Sequence, residues 1–534
     1  MRAAVLAAVA VAALCWLTAA RWPGEIDAGN LGLALAGFSP VAHHPQPPGY
    51  LFHVVLGKVF AALVGDAHRG LVLQAALTAG IAVFALAALV RHCLPAVGSA
   101  GAALVALATG CAPVVLHMGG DALSGIDALA LGALVTLLCV RSANGEGRAF
   151  AAGSLLLGVA GGFRPDVSVH LAVAWLVAAR PWNWAQRAGG AMLATCGALA
   201  WLLPTVIACG GVAQFLDACG YVRPILAREA MLAGGDVERQ AATLWRIGWG
   251  LLLGGGPALA VGLCLLPWRR TQAASPAIGG DARSGAAPGL TAPRASAMPT
   301  ATRAVLHAAA WPPLLLLALT FCHKKAYVFP ALPALGVLAA SAWSARASLP
   351  TMRTVYAASA ALGLAAWLLL PAASSRQADA DGFGRQHEAL PLLDRLSWQP
   401  LEYTLASRRA MDARHDALMA HVERARADGK RVVVVTHPPD PVDLRPLGLR
   451  QPDVDVVELD GAPGAWRRIR VGKGAAERAR PAAADGTFAI DADVVIACVG
   501  WDPAWAKRLQ QDGATLVHAA PTVVFAIARG PVRW

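Results

Sequence analysis

Eleven nearly uninterrupted apolar stretches run through the first 371 residues, at about 3–20, 70–90, 96–116, 123–140, 149–163, 167–180, 189–209, 244–267, 304–322, 326–344 and 354–371. An upright helix needs about 20 residues to cross the hydrocarbon layer. Within that layer only a helix or a closed barrel satisfies every backbone N–H and C=O. A chain that is 57% hydrophobic and only 15% charged over 534 residues, with a mean hydropathy of +0.52, does not belong to the soluble globular class. The expectation is a polytopic α-helical membrane protein. The net charge of +12 does not point to nucleic acid, because the arginines gather at the ends of apolar runs instead of on one face. Met1-Arg2 followed by an apolar run ending Thr18-Ala19-Ala20 has the outline of a signal peptide. Its spanning length and the many runs after it favour a retained first helix.

Sidedness follows from charge. The run 50–64 carries His53 and Lys58, which suits an amphipathic helix lying at the interface. With that placement, the connections holding Arg91, Arg141/Arg148, Arg180/Arg187, Arg269/Arg270 and Arg346/Arg353 all share the cytoplasmic side with Arg2. A spanning 50–64 would put them all outside. Eleven spans with a cytoplasmic N-terminus are therefore expected, with an outer loop at 21–69 and a membrane unit at 1–371. The stretch 271–302, rich in Ala, Pro, Ser, Gly and Thr, cannot bury a core and reads as a disordered cytoplasmic linker. The abundant alanine and glycine suit close helix packing in a bundle. Six of the ten cysteines sit in apolar runs as small hydrophobes. Cys209 and Cys219 are spaced for an outer-surface pair, although coincidence is the simpler reading.

From 372 to 534 the composition is that of an ordinary soluble domain. A helical pattern covers 402–428. Short β-branched runs follow at 431–435, 454–459, 466–471, 493–499, 515–518 and 522–527, the signature of a small α/β domain. Eleven spans put this tail on the outer, extracytoplasmic side.

Charges on that outer side are the chemical candidates. Glu25 and Asp27 follow the first span, and the segment His43-His44-Pro45-Gln46-Pro47-Pro48-Gly49-Tyr50 comes next. Asp121 lies in the following outer loop, with Asp127 a turn or two on. Arg164 occupies the turn Phe163-Arg164-Pro165-Asp166, Arg223 a long outer loop, and Lys324 and Lys325 a wedge between two apolar runs. Cations on this side, pressed against apolar sequence, are costly unless an anion meets them. A lipid phosphate is such an anion, and each charged hydrogen bond to it contributes about 1.5–3 kcal/mol. Glycosyl transfer from a polyprenyl-phosphate sugar needs cations for the departing phosphate and one carboxylate for the acceptor's proton. It does not need the carboxylate pair of a hydrolase.

Several features together give the chain its likeness. They are Asp27 after the first span, His44-Pro45 to Pro47-Pro48-Gly49-Tyr50 leading into an interfacial helix, Asp121, and Lys-Lys-Ala-Tyr-Val-Phe-Pro-Ala-Leu-Pro at 324–333. In these the chain resembles the GT-C-type integral-membrane glycosyltransferases of the protein-mannosyltransferase and aminoarabinose-transferase-like group. The resemblance covers roughly residues 1–371. It implies that Asp27 is the catalytic base. The family often has an acidic pair there, whereas this chain has Asp27-Ala28 with Glu25 two residues before, and Pro-Gln-Pro-Pro departs from the commoner His-Pro-Pro.

The expected function is a membrane glycosyltransferase, in a bacterial inner membrane, with a periplasmic site and a lipid, glycan or protein acceptor. Asp27 is its base, Asp121 helps position the acceptor or the sugar, and Glu25 is a further catalytic candidate. Arg164, Lys324, Lys325 and Arg223 hold the donor phosphate, and His43, His44 and Tyr50 contact acceptor or sugar. Plainer readings stand beside these: Asp27 as a helix cap, Arg164 paired only with Asp166, Lys324 and Lys325 snorkelling to headgroups. A divalent metal on His43, His44 and Asp27 is a minority reading. Trp22, Trp182, Trp184, Trp268 and Trp311 read as interfacial anchors. An O-antigen ligase or polymerase, a lipid-linked sugar transporter or flippase, and a scaffold presenting the tail are the rival functions. A transporter would call for mid-span charges and paired repeats, neither of which stands out in this sequence.

Overall fold

A computed structural model of the protein describes residues 1–24, 26–220, 237–266, 298–320, 325–371 and 403–436, and short stretches between 447 and 533. Glu25, Arg223, Lys324, most of the 271–302 linker and the turn after Thr436 lie outside the described residues.

The chain is an integral membrane protein built mainly from helices. Among the described residues, five helices are long and apolar enough to cross a membrane: Ala67–Cys93, Gly125–Ala143, Trp184–Ala208, Thr300–Leu319 and Leu349–Leu369. Two bent pairs would raise the number to seven. This differs from eleven upright spans for local reasons. The run expected at 96–116 breaks by 75° before Pro113, where Ala112 is extended, as a residue preceding proline prefers. The run at 244–267 turns by 117° at Gly256-Pro257. Gly256 has a φ of +79°, and an added Cβ there would sit 2.8 Å from Ser359 Oγ, so only glycine makes this corner without strain. The runs at 3–20, 149–163, 167–180 and 326–344 form helices of 16, 17, 14 and 13 residues, shorter than an upright crossing requires.

In chain order the first ten helices are α1 (Arg2–Leu17), α2 (Ile26–Ala36), α3 (Leu51–Val64), α4 (Ala67–Cys93), α5 (Gly98–Gly110), α6 (Pro113–Gly119), α7 (Gly125–Ala143), α8 (Gly147–Phe163), α9 (Pro165–Ala178) and α10 (Trp184–Ala208). Helix starts carry their chemistry: Asp66 caps α4 by accepting from Arg69 N, and Asn183 with Gln186 forms a capping box on α10. Small residues set the packing. Gly158 and Gly197 bring α8 and α10 into backbone contact, and a Cβ at Gly197 would lie 2.7 Å from Leu155 O. The short helix α3 buries His53, Val54 and Gly57 while Val55, Val59 and Leu63 face outward. That division suits a helix lying against the bundle at the interface.

After residue 403 the chain forms a tail helix, Leu405–Ala427, and a six-stranded sheet ordered β3-β2-β1-β6-β8-β7. The strands are β1 (Val432–Thr436), β2 (Asp455–Asp460), β3 (Arg468–Val471), β6 (Val494–Cys498), β7 (Thr515–Ala520) and β8 (Val523–Arg529). A smaller sheet joins β4 (Ala479–Pro481), β5 (Phe488–Ile490) and β9 (Val532–Arg533). β1 runs parallel to both β2 and β6, and its valines are buried on both faces, as central parallel strands must be. Val432 and Val434 meet Leu418, Met419 and Val422 of the tail helix. Val433 and Val435 pack on the opposite face.

The tail is joined to the bundle through Trp22. Its indole is buried in the tail's core, stacks on His415 at 5.9 Å and donates to Asp416 at 2.8 Å. Trp22 is therefore a joint between the two parts and not an interfacial anchor. Trp182 likewise turns inward, donating to Ser142. Trp184, 81% exposed, keeps the position an anchor needs.

Candidate functional site

One cavity collects the chemistry that sequence spacing scattered. Its walls include Asp27, Gln46, Tyr50, Ser124, Arg164 and Tyr327, and its volume is about 30 Å³, room for one or two water molecules.

Asp27 stands in the first turn of α2, where a negative charge suits the positive end of the helix. Its carboxylate accepts a hydrogen bond from Gln46 Nε2. Gln46 is held in place by the loop between α2 and α3. Ser39 and His44 exchange backbone bonds of 2.6 and 2.9 Å, and His43 and Tyr50 both take left-handed backbone with φ of 59° and 47°. Gly49, at φ +120°, is pressed so close that a Cβ would lie 2.7 Å from Thr205 Cγ2. The prolines around Gln46 thus shape a loop that folds back on Asp27. Tyr50 ends this loop, and burial pushes its hydroxyl above the usual range, with Arg164 the main influence in the other direction. It is a neutral donor at physiological pH.

Arg164 lies between α8 and α9, where Pro165 opens the second helix. Its Nε donates to both Asp166 oxygens, at 3.0 and 3.2 Å, and the guanidinium sits 5.2 Å from the centre of the Tyr327 ring. The expected pairing with Asp166 is present together with a place in the cavity wall.

Asp121 and Lys325 lie alongside, on segments that supply other parts of that wall. Asp121 accepts from Ala122 N at 2.7 Å and Gly24 N at 3.4 Å, so it ties the turn after α6 to the strap after α1. Lys325, 2% exposed, places Nζ 4.6 Å from the centre of the Tyr403 ring and is not on the surface as a snorkelling lysine would be. Asp127 is drawn elsewhere: its carboxylate accepts from His53 Nδ1 at 2.6 Å, and the Gln74 amide lies 3.0 Å from the same nitrogen. His43 and His44 are half-buried and do not line the cavity. Among the described residues no three metal-ligating side chains come together, so His43, His44 and Asp27 are not gathered as a ligand set.

Gln46, Ser124, Tyr403 and Arg408 were not assigned a role by the sequence. Gln46 lies inside the segment His43 to Tyr50, but an uncharged amide among prolines carries no signal of its own. Tyr403 and Arg408 come from the tail, and no spacing rule links them to a site hundreds of residues earlier.

No family model matches the chain, and no curated protein matches it in sequence. Among solved structures its fold is similar to that of ArnT from Cupriavidus metallidurans, both bound to undecaprenyl phosphate and in the apo state. In each case the identity is 13%, the match covers 98% of this chain and 97% of that one, and the TM-score is 0.53. The likeness to the aminoarabinose-transferase-like group drawn from the sequence holds at the level of the fold.

Proposed function

We propose that the chain is a membrane glycosyltransferase that moves a sugar from a polyprenyl-phosphate-linked donor to a lipid, glycan or protein acceptor. The reaction takes place on the periplasmic face of a bacterial inner membrane, and the tail 372–534 is extracytoplasmic. The observation that carries this reading is the juxtaposition of Asp27 and Arg164 in one cavity. The fold it shares with a protein seen bound to undecaprenyl phosphate supports it.

The residues divide the work by charge. Asp27 takes the proton of the acceptor hydroxyl as the new bond to the anomeric carbon forms. The bond from that carbon to the phosphate oxygen breaks, and polyprenyl phosphate leaves. Arg164 meets the charge that develops on it, as preorganised donors in a water-poor site do. Lys325, Lys324 and Arg223 complete the cationic set. Asp121 helps position the acceptor or the sugar, Glu25 is a further catalytic candidate near the base in sequence, and Tyr50, His43 and His44 contact acceptor or sugar. Attack from the face opposite the phosphate inverts the anomeric centre.

The test is turnover by purified protein on a panel of polyprenyl-phosphate monosaccharides with candidate acceptors. Release of sugar to an acceptor with formation of polyprenyl phosphate is the expected result. Donor binding without turnover across the whole panel would instead favour a lipid-linked sugar transporter.

A further inference from the structure

Two side chains at the start of the tail helix reach into the bundle beside the candidate site. Tyr403, 2% exposed, faces Lys325 Nζ at 4.6 Å and meets the His117 ring edge-on at 5.0 Å. Arg408, 4% exposed, donates from Nη1 to Thr18 O at 2.8 Å and from Nη2 to His117 O. Its guanidinium lies 4.9 Å from the centre of a Trp367 ring. Gly120 leaves the room it needs, since a Cβ there would collide with Nη1. Burial weakens the hold of Arg408 on its proton, and Asp121 is the charge that offsets this most.

These contacts converge on one turn. Tyr403 and Arg408 both touch His117, and Arg408 lies against Gly120, next to Asp121. A joint needing only adhesion would be cheaper with apolar side chains, because each buried cation must recover its lost hydration. Burying Lys325 against an aromatic face and Arg408 across two carbonyls makes sense where cations must stand at fixed points.

We infer that Tyr403 and Arg408 are positioning residues of the transfer site: Tyr403 sets the Lys325 ammonium towards the donor phosphate, and Arg408 fixes the turn that presents Asp121. The inference rests on the proposed transfer reaction. The tail is then a working part of the enzyme.

The test uses the full chain in detergent, with undecaprenyl phosphate as the binding probe and an undecaprenyl-phosphate sugar for turnover. Tyr403→Leu should weaken undecaprenyl phosphate binding and raise donor KM by about tenfold, with kcat little changed. Tyr403→Phe, which keeps the ring, should restore both. Arg408→Gln should lower kcat by about tenfold while binding holds. Arg408→Lys should not rescue it, because one ammonium cannot span two diverging carbonyls. Arg21→Ala breaks the Arg21–Asp416 pair of 2.6 Å in the same joint and serves as the docking control. If Arg21→Ala reproduces both patterns, or Phe and Leu at 403 lose function alike, the side chains only hold the tail on and the inference fails. Wild-type transfer with every variant unaffected overturns the inference alone. A wild type that neither binds undecaprenyl phosphate nor transfers sugar overturns it together with the proposed function.

Discussion

At Arg164 the guanidinium is shared between Asp166 and the cavity, so its removal separates phosphate binding from simple charge pairing. Arg164→Gln should weaken donor binding by roughly ten- to a hundredfold, the worth of one charged hydrogen bond of about 1.5–3 kcal/mol. Arg164→Lys should recover little, because an ammonium lacks the planar array in which Nε holds Asp166 while the two Nη groups remain for a phosphate. Donor titration of both variants checks this, and wild-type affinity in Arg164→Gln would reduce the residue to a structural ion pair. Gln46→Ala should lower turnover while donor binding holds, since it removes the amide that orients the Asp27 carboxylate. Asp27 itself was legible because an acid just past an apolar run is costly and therefore conspicuous. Gln46 was not, because an uncharged amide carries no such cost and its contact depends on the path of the loop.

The helices show the same division between what pattern reveals and what packing decides. Apolar length located α4, α7 and α10, and β-branched runs located the strands β1, β2 and β6 to within a residue or two. The bends before Pro113 and at Gly256-Pro257 were written in the sequence as helix breakers, yet an apolar run reads the same whether straight or folded back. Glycine in the bundle gives a direct check at this scale. Gly197→Val would push a side chain into the α8 backbone, and overpacking of this kind costs about 1–3 kcal/mol. Its melting temperature in detergent should fall clearly below wild type. Gly189, where an added Cβ meets nothing, should tolerate alanine with no such loss. Equal effects at the two positions would mean that α8 and α10 do not depend on close approach.

The whole molecule is held by a joint no local pattern announces: Arg21 and Trp22 bond through their backbone N–H groups to Asp412, 391 and 390 residues later. Burial pushes Asp412 up to about 6, against the pull of those two donors, Arg21 and Arg408. A carboxyl raised above its free value near 3.9 binds protons better in the docked state, so docking weakens as pH rises from about 4 to about 6 and is level beyond. The effect is of order 2–3 kcal/mol. Asp412→Asn should flatten this dependence, as read from protease resistance of the tail at pH 4.5 and pH 7. A wild-type tail that is more resistant at pH 7 than at pH 4.5 would contradict it. The central claim, however, is that Asp27 deprotonates an acceptor during transfer from a lipid-linked donor. Wild type and Asp27→Asn should therefore be compared directly for polyprenyl-phosphate binding and for sugar release to acceptor. The account predicts that the variant still binds donor and has lost turnover. Turnover that survives in Asp27→Asn would contradict it.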